Sequence, residues 1–283
     1  MFNYCQKAKL YSSLGKKASS VLGTGNSKII GTSVTHKQGP FVFTGTAKLC
    51  KNCKCSCCCC PLDTSISTKY SSNYGSYGLK LTSDRMCTFT ASSPKIAECA
   101  NIALNVSCNK KGSVSATVIK NFVAIGLKQN LFDCQGEGNI ILSLGPLMFG
   151  TKIHGVCYKK PKFTPLINFA HKNLDLTFSS QNFLESVQGS LYHKCSDRFE
   201  FAATGSLIYK DLKHKFALGA NIQVDKKTKS SLKLKCDSKG IASMGFSMAL
   251  CPKTKVGISA DIDCFNLKEK KGYNFGFNFS FSD

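Results

Sequence analysis

The chain has 283 residues and a formal charge of +22, from 38 Lys and Arg against 16 Asp and Glu. That length fits two ordinary soluble domains or one large all-β domain. The charge excess calls for acidic partners: nucleic acid, anionic lipid or small anions. No apolar run reaches about 18 residues, so no helix spans a membrane, while a β-barrel remains a route into a bilayer. The 17 cysteines are an odd number and no apolar signal segment precedes them, which points to mostly free thiols.

In chain order, the first acidic residue is Asp63. Within "KAKLYSSLGKKASSVLG", Leu10, Leu14, Ala18 and Val21 share one helical face, opposite Lys9, Lys16, Ser19 and Ser20. Residues 1–25 therefore read as an amphipathic helix and its linker. Three roles fit it: a cleaved mitochondrial presequence, a helix on a membrane surface or inside a pore, or a helix docked on a soluble core.

Beyond Gly25 the period changes from helical to two, and residues 26–283 show no linker or compositional break. "FVFTGTAKL" and "LDTSISTKY" read as the second and third strands. "SVSATV", "FVAIGLK", "RFEFAATGSLIY", "SLKLK" and "SMGFSMAL" follow in the same pattern. In "FALGANIQVD", Phe216, Leu218, Ala220, Ile222 and Val224 alternate with Ala217, Gly219, Asn221 and Gln223. "KVGISADID" alternates likewise, and in "YNFGFNFSFSD" one face is wholly aromatic. Breaks such as "CNKKGS", "DKKTKS", "CDSKG" and "NLKEKKG" are hairpin signals. The pattern predicts about 19 strands of roughly 8 to 11 residues, the length that crosses a bilayer when tilted.

The direction of the apolar face decides between a soluble sandwich and a membrane barrel. The polar face is rich in Gly, Ser, Thr, Asn and Lys, the apolar face carries many of the 20 Phe, and charge gathers in short turns. These features favour an all-β transmembrane barrel of the up-and-down kind. If its polar face is luminal, Lys128, Lys233, Lys235 and Lys255 line the pore, joined by Lys16 and Lys17 if the helix folds back inside. Fixed cations in a wet pore enrich small anions. Each lysine taken singly also reads as a solvated turn or rim charge.

Between the second and third strands lies "LCKNCKCSCCCCP", with seven cysteines: Cys50, Cys53, Cys55, Cys57, Cys58, Cys59 and Cys60. The turn 50–60 is expected on a rim of the barrel, outside the lipid. Its thiolates suit a soft metal such as zinc or copper(I), but it lacks the separated knuckles of a structural zinc finger. A tolerated insertion, oxidation and acylation are the competing readings.

At this point the residues resemble a known family. "LYSSLGKKASSVL" resembles the N-terminal helix of mitochondrial porins, the voltage-dependent anion channels, through Tyr11, Leu14, Gly15 and Lys16. "IQVDKKTKSSLKLKCDSKGIASMGFSMALCPKTKVGISADID" is similar to late barrel strands of that family. "YNFGFNFSFSD" is similar to its closing strand and carries the membrane-insertion signal at Asn274, Gly276, Phe279 and Phe281. The family barrel has about 19 strands.

The resemblance implies a voltage-gated, anion-preferring pore of the mitochondrial outer membrane for chloride, phosphate and adenine nucleotides, with no cofactor. Homo-oligomeric contacts belong to the same picture. It places nucleotide contacts at Lys16 and Thr24, and dinucleotide contacts at Ile241, Ala242 and Ser243 and at Ser259, Ala260, Asp261, Ile262 and Asp263. The last five also read simply as one strand. The chain departs from the family where Ser13 and Ser20 replace helix acids and where Ser83, beside Asp84, replaces a lipid-facing Glu of the fourth strand linked to gating and oligomer contacts. The region of the fifth strand, Met86 to Pro94, is shortened.

An enzyme is disfavoured, because the five histidines are dispersed and no catalytic grouping or phosphate loop is present. A nucleic-acid binder lacks a reader module. The alternatives kept are the related protein-import barrel, which an acidic lumen would suit better, and a diverged porin paralogue with altered selectivity or gating.

Overall fold

The computed structural model describes residues 9–23, 29–50, 62–83, 86–93, 100–108, 111–133, 135–156, 161–181, 185–225, 227–266 and 272–283. A 3-10 turn, Tyr11–Ser13, precedes α1, Lys16–Leu22. The strands are β1 Ile29–Gln38, β2 Phe41–Cys50, β3 Leu62–Ser72, β4 Gly75–Thr82, β5 Cys87–Ser92, β6 Ala100–Ser107, β7 Lys111–Lys120, β8 Val123–Asn130, β9 Gln135–Leu144 and β10 Leu147–Val156. They continue as β11 Lys162–His171, β12 Leu174–Gln181, β13 Ser186–Lys194, β14 Phe199–Ile208, β15 Lys213–Asp225, β16 Ser230–Asp237, β17 Ile241–Cys251, β18 Thr254–Asp263 and β19 Tyr273–Ser282. Gly15 separates the two helical pieces with φ of 73°, a left-handed conformation in which any side chain is strained.

All 19 strands form one closed sheet in which successive strands are antiparallel. An odd number of alternating strands leaves the first and last pointing the same way. β1 and β19 accordingly pair in parallel, from Ile30 opposite Phe277 to Thr35 opposite Ser282.

Register shows which face points where. Lys233 reaches α1 and Gly219 lies against Leu22, and α1 sits inside the ring, so odd positions of β15 and β16 face the lumen. The other row runs Ile222, Leu232, Phe246, Ile258, Phe277, Ile30, Leu49 and Leu62 in direct cross-strand pairs, and it faces outward. The parallel inward row is Asn221, Lys233, Gly245, Ser259 and Gly276. Large apolar groups stand open on the outside, with Phe216 and Ile258 each 51% and Phe275 61% accessible. Among the described strand residues no outward position holds Asp, Glu or Arg, and the single outward lysine, Lys120, ends β7. Only a hydrocarbon surrounding makes such a belt favourable, so the ring is a membrane-spanning barrel.

Two details depart from or refine the sequence reading. Ser83 falls just past β4, in the turn, where its Oγ donates to Asp63 Oδ1 at 3.2 Å and its N–H bonds Thr64 O at 2.8 Å. That backbone bond is the next rung after Thr82 opposite Ser65, and Ser83 continues the outward row of Leu79 and Leu81; Asp84 lies outside the described residues. β5 has six residues, in keeping with the shortening read from the sequence.

The parallel seam carries an ionic clasp at one mouth. Asp283 meets Lys253 Nζ at 2.6 Å and His36 Nδ1 at 2.9 Å, linking the β17–β18 turn to β1. Lys253, and after it His36, holds the Asp283 carboxyl below the ordinary carboxylate range, and Asp283 in turn raises Lys253. A lowered folded value means that the contribution is present above the unfolded carboxylate pKa and is lost as pH falls through the folded one. Asp283→Asn is expected to lower the urea midpoint slightly at neutral pH, with the difference from wild type gone by about pH 2. Paired urea titrations across that range check it.

Candidate functional site

The lumen is partly filled by the helical segment, which lies along the wall from β8 to β16. Leu10, Tyr11 and Leu14 pack on Ala124, Ile141, Met148 and Ala170. Ala18 and Val21 are almost wholly buried against Tyr192 and Ala202, with Leu22 beside them. The apolar helical face expected from the sequence is the face that meets the wall. Small wall residues make room for it: a Cβ on Gly219 would stand 2.8 Å from Leu22 Cδ2 and 2.8 Å from Leu234 O. Any larger residue there displaces the helix or bends the wall.

Polar contacts fix the helix in register. Lys17 Nζ lies 3.8 Å from Asp175 Oδ2 and 5.4 Å from the centre of the Tyr192 ring. Asn168, itself fully buried, donates to Asp175 Oδ1 at 2.7 Å and to Thr177 Oγ1 at 2.8 Å, holding that carboxylate in place. Tyr192 donates to Glu200 Oε1 at 3.0 Å, and Asn221 donates to Glu200 Oε2 at 3.0 Å. From the other side of the helix, Lys233 Nζ donates to Ser20 O at 2.8 Å. Tyr11 completes the set by donating to Thr164 O at 3.4 Å. The wall supplies the acids and the helix the cation, and residues 9–23 carry no acid of their own.

The lysines picked out from the sequence divide into two groups. Lys16 and Lys17 lie on the exposed side of α1. Lys128, Lys233, Lys235 and Lys255 occupy inward positions of β8, β16 and β18. Lys128 stands opposite Glu137, which also meets Lys152 at 3.1 Å and His154 at 3.3 Å, so its charge is shared.

Further inward lysines escaped the sequence reading. Lys48 and Lys233 border a recess of about 460 Å³ whose other polar lining includes Ser33, Thr46, Ser247 and Asn278. Lys69 and Lys80 border a second recess of about 480 Å³ with Ser76, Thr88 and Asn105. The signal available was alternation alone: Val42, Thr44, Thr46 and Lys48 form one period-two face of β2.

The remaining positions alternate as strand geometry requires. Ile241, Ser243, Ser259, Asp261 and Asp263 are inward, whereas Ala242, Ala260 and Ile262 are outward. Asn274 and Gly276 of β19 are inward, and Phe279 and Phe281 outward. Thr24 and the cysteines Cys53 to Cys60 lie outside the described residues, as does the side chain of Cys50. Among the described residues no group of three or more His, Cys, Asp or Glu is placed to hold a metal ion.

A closed, outwardly apolar barrel with a polar lumen is the architecture of a pore for small solutes in a lipid bilayer. Comparison with curated proteins gave no match. The eukaryotic porin family matches residues 7–276, nearly the whole barrel together with the luminal helix, and the chain belongs to that family.

Proposed function

We propose that this porin is an anion-preferring, voltage-gated diffusion pore of the mitochondrial outer membrane, passing chloride, phosphate and adenine nucleotides. The observation that carries the reading is the charge balance of the inward face. Lys48, Lys69, Lys80, Lys111, Lys215, Lys233, Lys235 and Lys255 occupy inward positions against Asp63, which stands opposite Lys48, and Asp237, Asp261 and Asp263, while Asp175, Glu200 and Glu137 are engaged by Lys17, by Tyr192 and Asn221, and by Lys152, so lysine is in excess. Fixed cations in a wide aqueous channel raise the local anion concentration and exclude co-ions. The hydroxyl-lined recess between Lys48 and Lys233 is large enough to receive a phosphate group of a passing nucleotide. Lys16 and the inward residues Ser243, Ser259, Asp261 and Asp263 are the further contacts in this proposal.

Voltage dependence needs charge that moves in the field, at about 2.3 kcal/mol per elementary charge carried fully across 100 mV. The segment bearing Lys9, Lys16 and Lys17 and no acid is the candidate. The Cys50–Cys60 run is proposed to hold a soft ion such as zinc or copper(I), and metal analysis before and after alkylation tests that.

The deciding experiment is the reversal potential of the purified, reconstituted channel in a salt gradient. An anion-side potential is expected, moving toward the cation side in Lys233→Glu/Lys235→Glu/Lys255→Glu. A wild-type potential on the cation side, with block by a basic presequence peptide, replaces the proposal with a protein-import barrel.

A further inference from the structure

Two thiols face each other between β5 and β6, at the end of the shortest strand. The β5–β6 register ends at Thr88 opposite Ser107, so the next pair toward the rim is Cys87 and Cys108. The Cys108 N–H donates to Cys87 O at 2.9 Å, which sets the two residues directly opposite each other. Both continue the outward rows, Cys87 with Phe89 and Ala91, Cys108 with Val106 and Leu104. The other described cysteines, Cys195, Cys236, Cys251 and Cys264, fall on other hairpins.

We propose that Cys87 and Cys108 form a dithiol that a small-molecule disulfide oxidant closes into a bridge, stapling β5 to β6. Directly opposed residues of a hydrogen-bonded antiparallel pair have Cα atoms about 5.5 Å apart, within the range of about 4.4 to 6.8 Å that a disulfide spans. The Cβ atoms of such a pair lie nearer about 5.5 Å, against about 3.5–4.5 Å in a disulfide, so closing the bridge draws the two strand ends about 1 Å together, at a point where Cys108 has already left β6. Cys108 is the exposed partner and Cys87 the partly covered one, which sets the order of events. The Cys108 thiolate attacks one sulfur of the oxidant, forming a mixed disulfide and expelling one small thiolate. The Cys87 thiolate then attacks the Cys108 sulfur, closing the bridge and releasing the second small thiol. Two electrons and two protons pass from the cysteine pair to the oxidant, which leaves as two thiols.

The position gives the bridge mechanical weight. β5 is the shortest strand, with six residues, and pairs with β6 only from Thr88 to Ser92. A covalent link at its open end holds a ladder that has fewer hydrogen bonds than its neighbours.

The test uses the full-length channel in vesicles, treated with oxidised glutathione, blocked with an alkylating agent and digested for mass spectrometry. The expected product joins Cys87 to Cys108, persists in Cys99→Ser, and disappears in Cys108→Ser. Oxidation is expected to slow unfolding in urea by about tenfold or more in wild type and in Cys99→Ser, and to leave Cys108→Ser unchanged. A glutathione adduct that stays on Cys108, a link from Cys108 to another cysteine, or free thiols at both positions while Cys264 reacts, each overturns the proposal. None of these outcomes bears on ion selectivity.

Discussion

Ile258→Arg is expected to destabilise the folded barrel by about 2–4 kcal/mol, because it sets a guanidinium at mid-strand on the lipid-facing side of β18. Ile258 pairs outward with Phe246 on one side and Phe277 on the other, and its 51% accessible side chain has only hydrocarbon to face. The neighbouring change, Ser259→Arg, places the same group on the inward row with Gly245 and Gly276. Ser259 is only 8% accessible, so the longer side chain must turn into the open lumen; the cost should stay below that of Ile258→Arg, with the reversal potential shifted further toward anions. Equilibrium urea unfolding in phospholipid vesicles measures both. Equal costs for the two substitutions, or the reverse order, would mean that the assignment of faces is wrong.

Ala18→Asp should release the helix from the wall. The site is 1% accessible, closed by Val21, Tyr192 and Ala202, and the groups beyond Tyr192 are the acids Asp175 and Glu200. A carboxylate there is desolvated beside like charge, at a cost of about 3 kcal/mol or more. Full burial of Val21 contributes only about 2 kcal/mol to docking. The penalty therefore exceeds what burial of Val21 returns, and the Lys17 ion pair and the Lys233 hydrogen bond to Ser20 O are exposed on one side and add modestly, so α1 is expected to leave the wall while Leu10, Tyr11 and Leu14 still hold the start of the segment. A spin label at Ser19, itself on the exposed side of α1, is expected to pass from an immobilised to a mobile spectrum in the variant. Open-channel current noise should rise with it. An unchanged spectrum would show that the contacts at Ala18 do not hold the helix.

Much of the fold was legible because a barrel strand writes both of its environments into alternate residues. Phe216 to Val224 and Tyr273 to Phe281 announce the outward face without reference to any neighbour. The helix was legible for the same reason, with Leu10, Leu14, Ala18 and Val21 aligned on one side. What they dock against was not. Ala124, Met148, Ala202 and Gly219 come from distant strands that only ring closure brings under one helix. Asn168 and Asp175 look like ordinary polar lumen residues in sequence, and their burial follows from the helix that covers them. Ser83 was legible as the outward end of the fourth strand, since it continues the row of Leu79 and Leu81 one residue past the last ladder pair. Lys48, Lys69 and Lys80 were not legible as lumen charges, because each lies two or three residues from a strand end, where a lumen lysine and a rim lysine have the same period-two neighbours.

The parallel pairing of β1 with β19 has a consequence for sidedness. Because both strands run the same way, β1 sets out from the mouth that β19 also leaves, and Asp283 arrives at the opposite one with Cys251 and Cys195. Cys87, Cys108, Cys236 and Cys264 belong to strand ends at the starting mouth. In a sealed, uniformly oriented vesicle, a membrane-impermeant thiol reagent too large for the pore should therefore label one set or the other. A tag joined after Asp283 would be reached only from the side that spares Cys87 and Cys108. The odd strand thus turns the barrel into its own compass, able to report which aqueous compartment each rim addresses.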